Sequence, residues 1–340
     1  MLENNENNES VYKDDMVGLQ YPDISFDKIR ENIKKKRELT KVLVKFMDQL
    51  QTKLIYLEKE INVTKLSSFY TSRILYLKKK KVAYDDSNIQ DLHTLINFLV
   101  IHESTQLKGI ASDKYLACKY VKMKLGENLC LQRIKVFNNF EQINFEELVK
   151  SQENYVLKLS NGCGDSVFID DKTKGNITFI KEKIKYFYGR EFGLTIVPEF
   201  FHLYSKKRII LEKKFEPFND LFEFAFFVVN RNIRFIVLKI PLEDKVVLNF
   251  YDINFNIILD LSAVRSFDIF KKFQKGDLNK LKEYAYKLSE DFKNFIRVDL
   301  YLFHEKIYLS ELTFDSGNGI PFYKDHKIFK DAGKEWKRVE

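Results

Sequence analysis

The pattern of apolar residues changes near Ser104, and this change is the feature that most constrains how the chain can fold. Before it, over 43–61, apolar residues recur at alternating steps of four and three, which indicates an amphipathic helix with a heptad seam. After it, short segments rich in Val, Ile and Phe alternate with helical patterns, which is typical of sheets with helices interspersed. The sequence therefore predicts an α+β or α/β domain preceded by an α-helical N-terminal region.

The positive charge of the chain is concentrated in its N-terminal part. The total charge is +8, but sixteen Lys and Arg against five Asp and Glu between Lys28 and Lys81 give this segment +11 and leave −3 for the other residues. Clustered lysines attract polyanions and membrane surfaces, so the segment 27–81 is a candidate binding region. We predict three parts along the chain: a disordered polar tail over 1–20, a basic helical region over 21–104 and a folded domain over 105–340.

Composition excludes several classes of protein. Hydrophobic residues make up 45% of the chain and aromatic residues 15%, which is enough for a buried core and excludes a wholly disordered chain. No uncharged apolar run approaches the roughly 18 residues of a spanning helix. The first ten residues are acidic and rich in Asn, unlike a signal peptide, so we expect a cytoplasmic protein.

The three cysteines, Cys118, Cys130 and Cys163, have no CxxC spacing. Neither a disulfide framework nor a zinc site is therefore indicated. We expect Cys118 and Cys130 to be reduced and structural. Cys163 differs because it lies in a glycine loop.

Charged residues lie on the last predicted β-hairpin, over 296–312. Arg297 and Asp299 are two residues apart on its first strand and therefore share a face. Glu311 and Thr313 share a face of the second strand. Mg²⁺ binds through one or two carboxylates together with substrate phosphates, and an arginine can neutralise a phosphoryl group that is being transferred. The alternative, which is commoner for such a pattern taken alone, is a solvated strand face with ion pairs.

A second candidate motif is Lys158, at the end of a predicted apolar strand over 155–159. The glycine loop 161–164 and a second predicted strand over 167–169 follow it. Backbone N–H groups of a Gly-x-Gly segment can approach phosphate closely, and a lysine on a strand can contact it as a point charge. A tight hairpin turn explains the two glycines equally well. The loop is neither a P-loop nor a dinucleotide fingerprint.

The order of these motifs resembles the ATP-grasp fold and, more narrowly, the TupA-like ATP-grasp family of bacterial surface-polysaccharide gene clusters, which is named for a teichuronopeptide biosynthesis protein. The resemblance covers about 105–340 and rests on five segments: 111–121, 155–158, 296–301, 307–314 and 331–333. It implies an α+β fold in which two α/β lobes hold ATP between antiparallel sheets.

The resemblance also implies roles for nine residues. Six would contact ATP: Lys114 and Lys158 at the phosphates, Gly162 and Gly164 in a lid loop, Glu212 at the adenine, and Glu223 at the ribose. Three would serve the reaction: Arg297 at the transferred phosphoryl group, and Asp299 and Glu311 as Mg²⁺ ligands.

The implied activity is that of an ATP- and Mg²⁺-dependent ligase that activates a carboxylate as an acyl-phosphate and joins it to an amine, in surface or capsular polysaccharide biosynthesis. A glycosyltransferase is one alternative, and a non-catalytic module that docks through the basic helices is another. Because polysaccharide precursors are often lipid-linked, we favour contact of 27–81 with the inner face of the membrane, or self-association, over binding to nucleic acid.

The sequence departs from the family pattern at three places. The glycine loop contains Cys163 where a serine and a histidine-like residue are usual. Ser310 stands where glycine is common before the metal-binding glutamate. A lysine expected after the hinge is replaced by Ala225, which puts one substrate or phosphate contact in doubt.

Overall fold

The computed structural model describes residues 87–103, 105–189, 205–242, 245–260, 273–320 and 327–336, with isolated positions between 73 and 85 and at 201 and 202. The chain divides into two compact units, Met1–Tyr84 and Asp85–Glu340, and the second is described below. The predicted tail over 1–20 and most of the basic region over 21–104 lie outside the described residues. The predicted domain limits therefore stay a prediction.

The second unit alternates helices and strands along the chain. The helices that the structure describes in it are α1 Leu92–His102, α2 Gln106–Ser112, α3 Ala117–Leu125, α4 Phe145–Lys150, α5 Ile177–Gly189, α6 Lys275–Ser289 and α7 Lys327–Lys334. The strands are β1 Arg133–Phe137, β2 Tyr155–Leu159, β3 Val167–Ile169, β4 Ile209–Lys213, β5 Phe222–Val229, β6 Asn232–Leu242, β7 Lys245–Tyr251, β8 Ile257–Asp260, β9 Phe295–Phe303 and β10 Lys306–Thr313.

The strands form two antiparallel sheets. The smaller has the order β1-β4-β2-β3 and shares a core with α4 and α5. The larger has the order β10-β9-β5-β6-β7-β8, and its core is shared with α3 and α6. This arrangement confirms the predicted α+β fold with antiparallel sheets.

The larger sheet separates an apolar face from a polar one because successive strand residues point to opposite faces. Phe224 and Phe226 of β5, with Val298 and Leu300 of β9, are fully buried in the core against the helices. The residues between them along the strands point to the other face. Glu223, Arg297 and Asp299 therefore share the face that lies away from this core.

Two local features differ from the sequence-based expectations. Strands β7 and β8 were not predicted from the sequence. The sequence predicts a helix over 113–124 that Ser112 caps and Gly126 ends. The predicted start is wrong, because Ser112 ends α2, and Asp113 accepts hydrogen bonds from the backbone N–H groups of Tyr115 and Leu116 before α3. The left-handed Gly126 ends α3 as expected.

The expectation of reduced structural cysteines at 118 and 130 was also wrong. Cys118 on α3 and Cys130 before β1 form a disulfide with a Cα–Cα distance of 5.7 Å. The helix and the following loop bring them together, although twelve positions separate them in the sequence. Cys163 is exposed and takes no part in this disulfide.

Helix α1 packs against the C-terminal segment of the same unit. Asn97 Nδ2 donates to the carbonyl of Gly319 at 2.7 Å, and the rings of His93 and Phe329 stack with centroids 5.1 Å apart. Across the described residues, no helix combines the length and the apolar character needed to cross a membrane.

Candidate active site

The β9–β10 hairpin brings the predicted arginine and both carboxylates together. Asp299 pairs with Glu311 and Arg297 with Thr313 across the hairpin. This register depends on a β-bulge at Ser310, which adds one residue to β10 between Leu309 and Glu311.

Arg297 is the centre of this cluster. Its Nε and Nη2 donate to the two carboxylate oxygens of Asp299 at 2.7 Å each, Nη1 donates to Ser316 Oγ at 2.8 Å, and Nη2 also reaches Glu311 Oε1. Asp299 is fully buried. A two-pronged guanidinium–carboxylate pair fixes both direction and distance, so the carboxylate of Asp299 is held in one orientation.

The electrostatics of the cluster keep its outer carboxylate ionised. Burial alone would raise the pKa of Glu311, but the positive charges of Arg297, Lys114 and Lys239 have the larger effect and lower it to about 2. Lys114 precedes α3, far from the hairpin in sequence, yet its positive charge acts on the carboxylate of Glu311.

Lys239 on β6 is a member of the cluster that the sequence did not single out. Its Nζ lies 3.2 Å from Asp299 Oδ2 and 3.0 Å from Glu223 Oε1. Glu223 also accepts a hydrogen bond from Ser310 Oγ at 2.8 Å. Burial, together with the nearby Asp299 and Glu311, raises the pKa of Glu223 in spite of Lys239.

The glycine loop after β2 contacts Lys114. The Lys114 backbone N–H donates to the carbonyl of Ser160 at 2.7 Å, and its Nζ donates to the carbonyl of Gly162. A Cβ at Gly162 would lie 1.4 Å from Asp165 Oδ2, so the Asp165 side chain would have to move to admit one, and Gly164 has a left-handed φ of +67°. The loop conformation therefore favours glycine at both predicted positions.

Lys158 and Glu212 form a separate pair inside the smaller sheet. Lys158 Nζ lies 2.5 Å from Glu212 Oε2, and both side chains are largely buried. They come from the neighbouring antiparallel strands β2 and β4. The structure thus pairs a predicted phosphate-binding lysine with the residue predicted to hold adenine.

The predicted site residues consequently form three groups. The first is the group around Arg297, to which the structure adds Lys239 and Ser316. The second is Lys114 with the glycine loop, and the third is the Lys158–Glu212 pair. Glu223, which was predicted to reach the ribose, lies in the first group beside Lys239. The contacts of Lys239 with Glu223 and Asp299 could not be predicted from the sequence, because they depend on how the strands are paired.

His202 is a further buried group near the glycine loop. Burial lowers its pKa to about 4, although Asp315, Asp113 and Asp165 oppose this effect while Lys114 adds to it. The imidazole is therefore neutral at pH 7. The sequence gives no indication of this buried environment, because His202 lacks the spacing to other residues that is typical of a metal ligand or a catalytic triad.

The donor set of the first group fits Mg²⁺. This ion prefers oxygen ligands and usually takes one or two carboxylates, with the remaining positions filled by water and substrate phosphates. Asp299 and Glu311 face each other across the hairpin and supply two such groups. Among the described residues no cluster of three His, Cys, Asp or Glu side chains forms a metal site, so this part of the chain does not provide an all-protein cage.

The fold and this site define the class to which the chain belongs. The family described as TupA-like ATP-grasp matches residues 94–336. This is more than two thirds of the sequence, and the chain is therefore a member of the TupA-like ATP-grasp family. The comparison with curated proteins gave no significant match.

Solved structures that the chain resembles include D-alanine–D-alanine ligase from Helicobacter pylori, with 16% identity, a TM-score of 0.40, and coverage of 72% of this chain and 66% of that one. The Bacillus anthracis enzyme of the same name, complexed with ATP, has 12% identity, a TM-score of 0.39 and coverage of 76% and 72%. N5-carboxyaminoimidazole synthase from Aspergillus clavatus, with ADP and 5-aminoimidazole ribonucleotide, has 15% identity, a TM-score of 0.35 and coverage of 62% and 46%. The chain thus spans less than two thirds of the length of some of these proteins.

Proposed function

We propose that this chain is an ATP- and Mg²⁺-dependent carboxylate–amine ligase that acts in the synthesis of a bacterial surface polysaccharide. Membership of the TupA-like ATP-grasp family supports ATP as the substrate. The observation that carries the chemistry is the cluster of Arg297, Asp299 and Glu311 on one face of the larger sheet. Lys114, which contacts the glycine loop, adds positive charge to the environment of Glu311.

In the proposed reaction a carboxylate oxygen of the substrate attacks the γ-phosphorus of ATP, the bond to the β,γ-bridging oxygen breaks, and ADP leaves. The amine then attacks the acyl-phosphate carbon, phosphate departs, and the amine nitrogen loses a proton. Phosphoryl transfer of this kind needs mainly positioning and electrostatic stabilisation from the protein.

The chain's own residues would provide both. Asp299 and Glu311 would hold Mg²⁺, which when bound neutralises charge on the phosphates. Arg297 would stabilise negative charge on the transferred phosphoryl group while it keeps Asp299 oriented. Lys114, whose ammonium is already directed to the Gly162 carbonyl, would contact phosphate together with the loop.

The smaller sheet would hold the rest of the nucleotide. Lys158 is proposed to contact phosphate, and Glu212 with the backbone after it to hold adenine. These two side chains bind each other in the structure, so each is fixed in position before the nucleotide arrives. This role for the pair is an inference from the family resemblance.

ADP release measures this proposal directly. Purified full-length protein with MgATP would be screened against amino acids, amino alcohols and uronic acids, with mass spectrometry of the product. We expect ADP release that depends on one carboxylate and one amine, and a new C–N bond in the product. Absence of MgATP binding to the folded protein would overturn the proposal.

A further inference from the structure

Strand β5 of the larger sheet lacks a cation at the position where the family resemblance implies a lysine. Ala225 occupies that position on β5, is almost fully buried, and pairs with Asp299 on one side and Val237 on the other. Its side chain cannot contact phosphate. Strand β5 therefore presents one positive charge fewer to the proposed site than the family resemblance implies.

Lys239 supplies a positive charge at nearly the same place from the neighbouring strand. Lys239 on β6 is the strand partner of Glu223 on β5. Its Nζ extends across β5 and lies 3.2 Å from Asp299 Oδ2 on β9. Two strand spacings of about 4.8 Å separate β6 from β9, a span that an extended lysine and an aspartate can bridge together. The small side chain of Ala225 lies beside this diagonal path and leaves room for the lysine stem.

The ammonium of Lys239 lies between the carboxylates of Glu223 and Asp299, on the polar face of the larger sheet. About a quarter of the side chain remains exposed. Since Mg²⁺ would compete for the carboxylate of Asp299, its binding would leave Lys239 available to an anionic group beside the metal.

We propose that Lys239 contacts the γ-phosphoryl group of ATP and so replaces, across the sheet, the lysine that is missing at Ala225. This inference rests on the proposed function. It differs from a purely structural role, in which Lys239 would only balance the charges of Glu223 and Asp299. The two roles differ in what they predict for nucleotide affinity. If Lys239 contacts the γ-phosphoryl group, its loss weakens the binding of ATP more than that of ADP, whereas a purely structural role affects both alike.

The test compares the affinity of the full-length protein for MgATP and MgADP by calorimetry. Because a hydrogen bond between charged groups is lost only with ATP, Lys239→Met should weaken MgATP binding by about ten- to hundredfold and MgADP binding by less than about threefold. Lys287→Met serves as the matched control, since Lys287 is exposed on α6 and pairs only with Glu283 among the described residues. It should leave both affinities unchanged.

A second variant moves the lysine to the family position. Ala225→Lys combined with Lys239→Met restores one cation to this face, and we expect it to recover the ATP-to-ADP affinity ratio to within about threefold of wild type. It also provides a charge-balanced protein if Lys239→Met alone does not fold. Equal losses for both nucleotides in Lys239→Met, or a folded double variant that binds ADP normally but does not recover the ratio, would overturn the role of Lys239. Wild-type protein that does not bind MgATP would overturn the proposed function and this inference with it.

Discussion

Arg297 holds Asp299 from the same strand through two hydrogen bonds of 2.7 Å, one to each carboxylate oxygen. The residues are two positions apart on β9, so both side chains lie on the same face of the sheet. Asp299 is fully buried and also binds Lys239. A carboxylate held in this way is oriented before any metal or nucleotide arrives, which reduces the reorganisation needed during the reaction.

Asp299→Asn and Glu311→Gln test the proposed metal ligands. Each substitution keeps the shape of the side chain but removes the negative charge that Mg²⁺ requires, so we expect ADP release to fall by at least about 100-fold. Circular dichroism should show a retained fold. Asp171→Asn, at an exposed turn, is the control and should keep full activity. Full activity of both site variants would show that the metal lies elsewhere.

The stability of the protein should depend on the ionisation of Glu311. Its folded-state pKa of about 2 lies below the ordinary value of 4.5, so this group stabilises the fold above pH 4.5 and loses that contribution as the pH falls toward 2. Urea unfolding at pH 7 should show Glu311→Gln less stable than wild type by roughly 3 kcal/mol. The difference should shrink between pH 4.5 and pH 3. A constant difference over this range would contradict the assigned shift.

The two loop glycines should respond to alanine for different reasons. Gly162→Ala places a Cβ 1.4 Å from Asp165 Oδ2 and must displace this buried side chain, so we expect loss of both stability and MgATP affinity. Gly164→Ala meets no neighbour within 4 Å but has a φ of +67°, which costs about 1 kcal/mol. Gly175→Ala is the control, because it has neither constraint. Urea unfolding and calorimetry should place the three in this order, and a Gly162→Ala variant equal to Gly175→Ala would refute the loop geometry.

Variants of the buried Lys158–Glu212 pair can distinguish an effect on stability from an effect on nucleotide binding. Lys158→Met leaves the Glu212 carboxylate buried without its cation, so the free energy of unfolding should fall by about 3 kcal/mol. Lys158→Met with Glu212→Leu removes both charges and should regain much of this stability, as measured by a double-mutant cycle. Nucleotide binding should stay impaired in the double variant. Recovery of MgATP affinity together with stability would show that the pair has no role in binding.

Thiol titration tests the disulfide. The chain has three cysteines, of which Cys118 and Cys130 are bonded and Cys163 is exposed. Protein purified without reductant and then unfolded should react with one equivalent of dithionitrobenzoate per chain, and with three equivalents after reduction. Three reactive thiols without reduction would contradict the pairing.

The sequence predicted the elements more reliably than the contacts between them. Strands β2 and β3 were predicted with their observed limits, because each is a short apolar run bounded by polar residues. The disulfide and the Lys158–Glu212 pair were not predicted. Each joins segments whose proximity depends on packing, and no local pattern reports packing.

What the sequence alone determined is therefore the family, the order of the elements and the residues that share one strand, such as Arg297 and Asp299. Tertiary structure decided which residues face them from neighbouring strands, and two bulges show why. The extra residue Ser310 on β10 turns Glu311 toward Asp299, and the extra residue Arg234 on β6 turns Lys239 toward Glu223. Because side chains alternate with a period of two, one added residue moves every later side chain to the other face. Without these bulges Glu311 and Lys239 would both point into the apolar core.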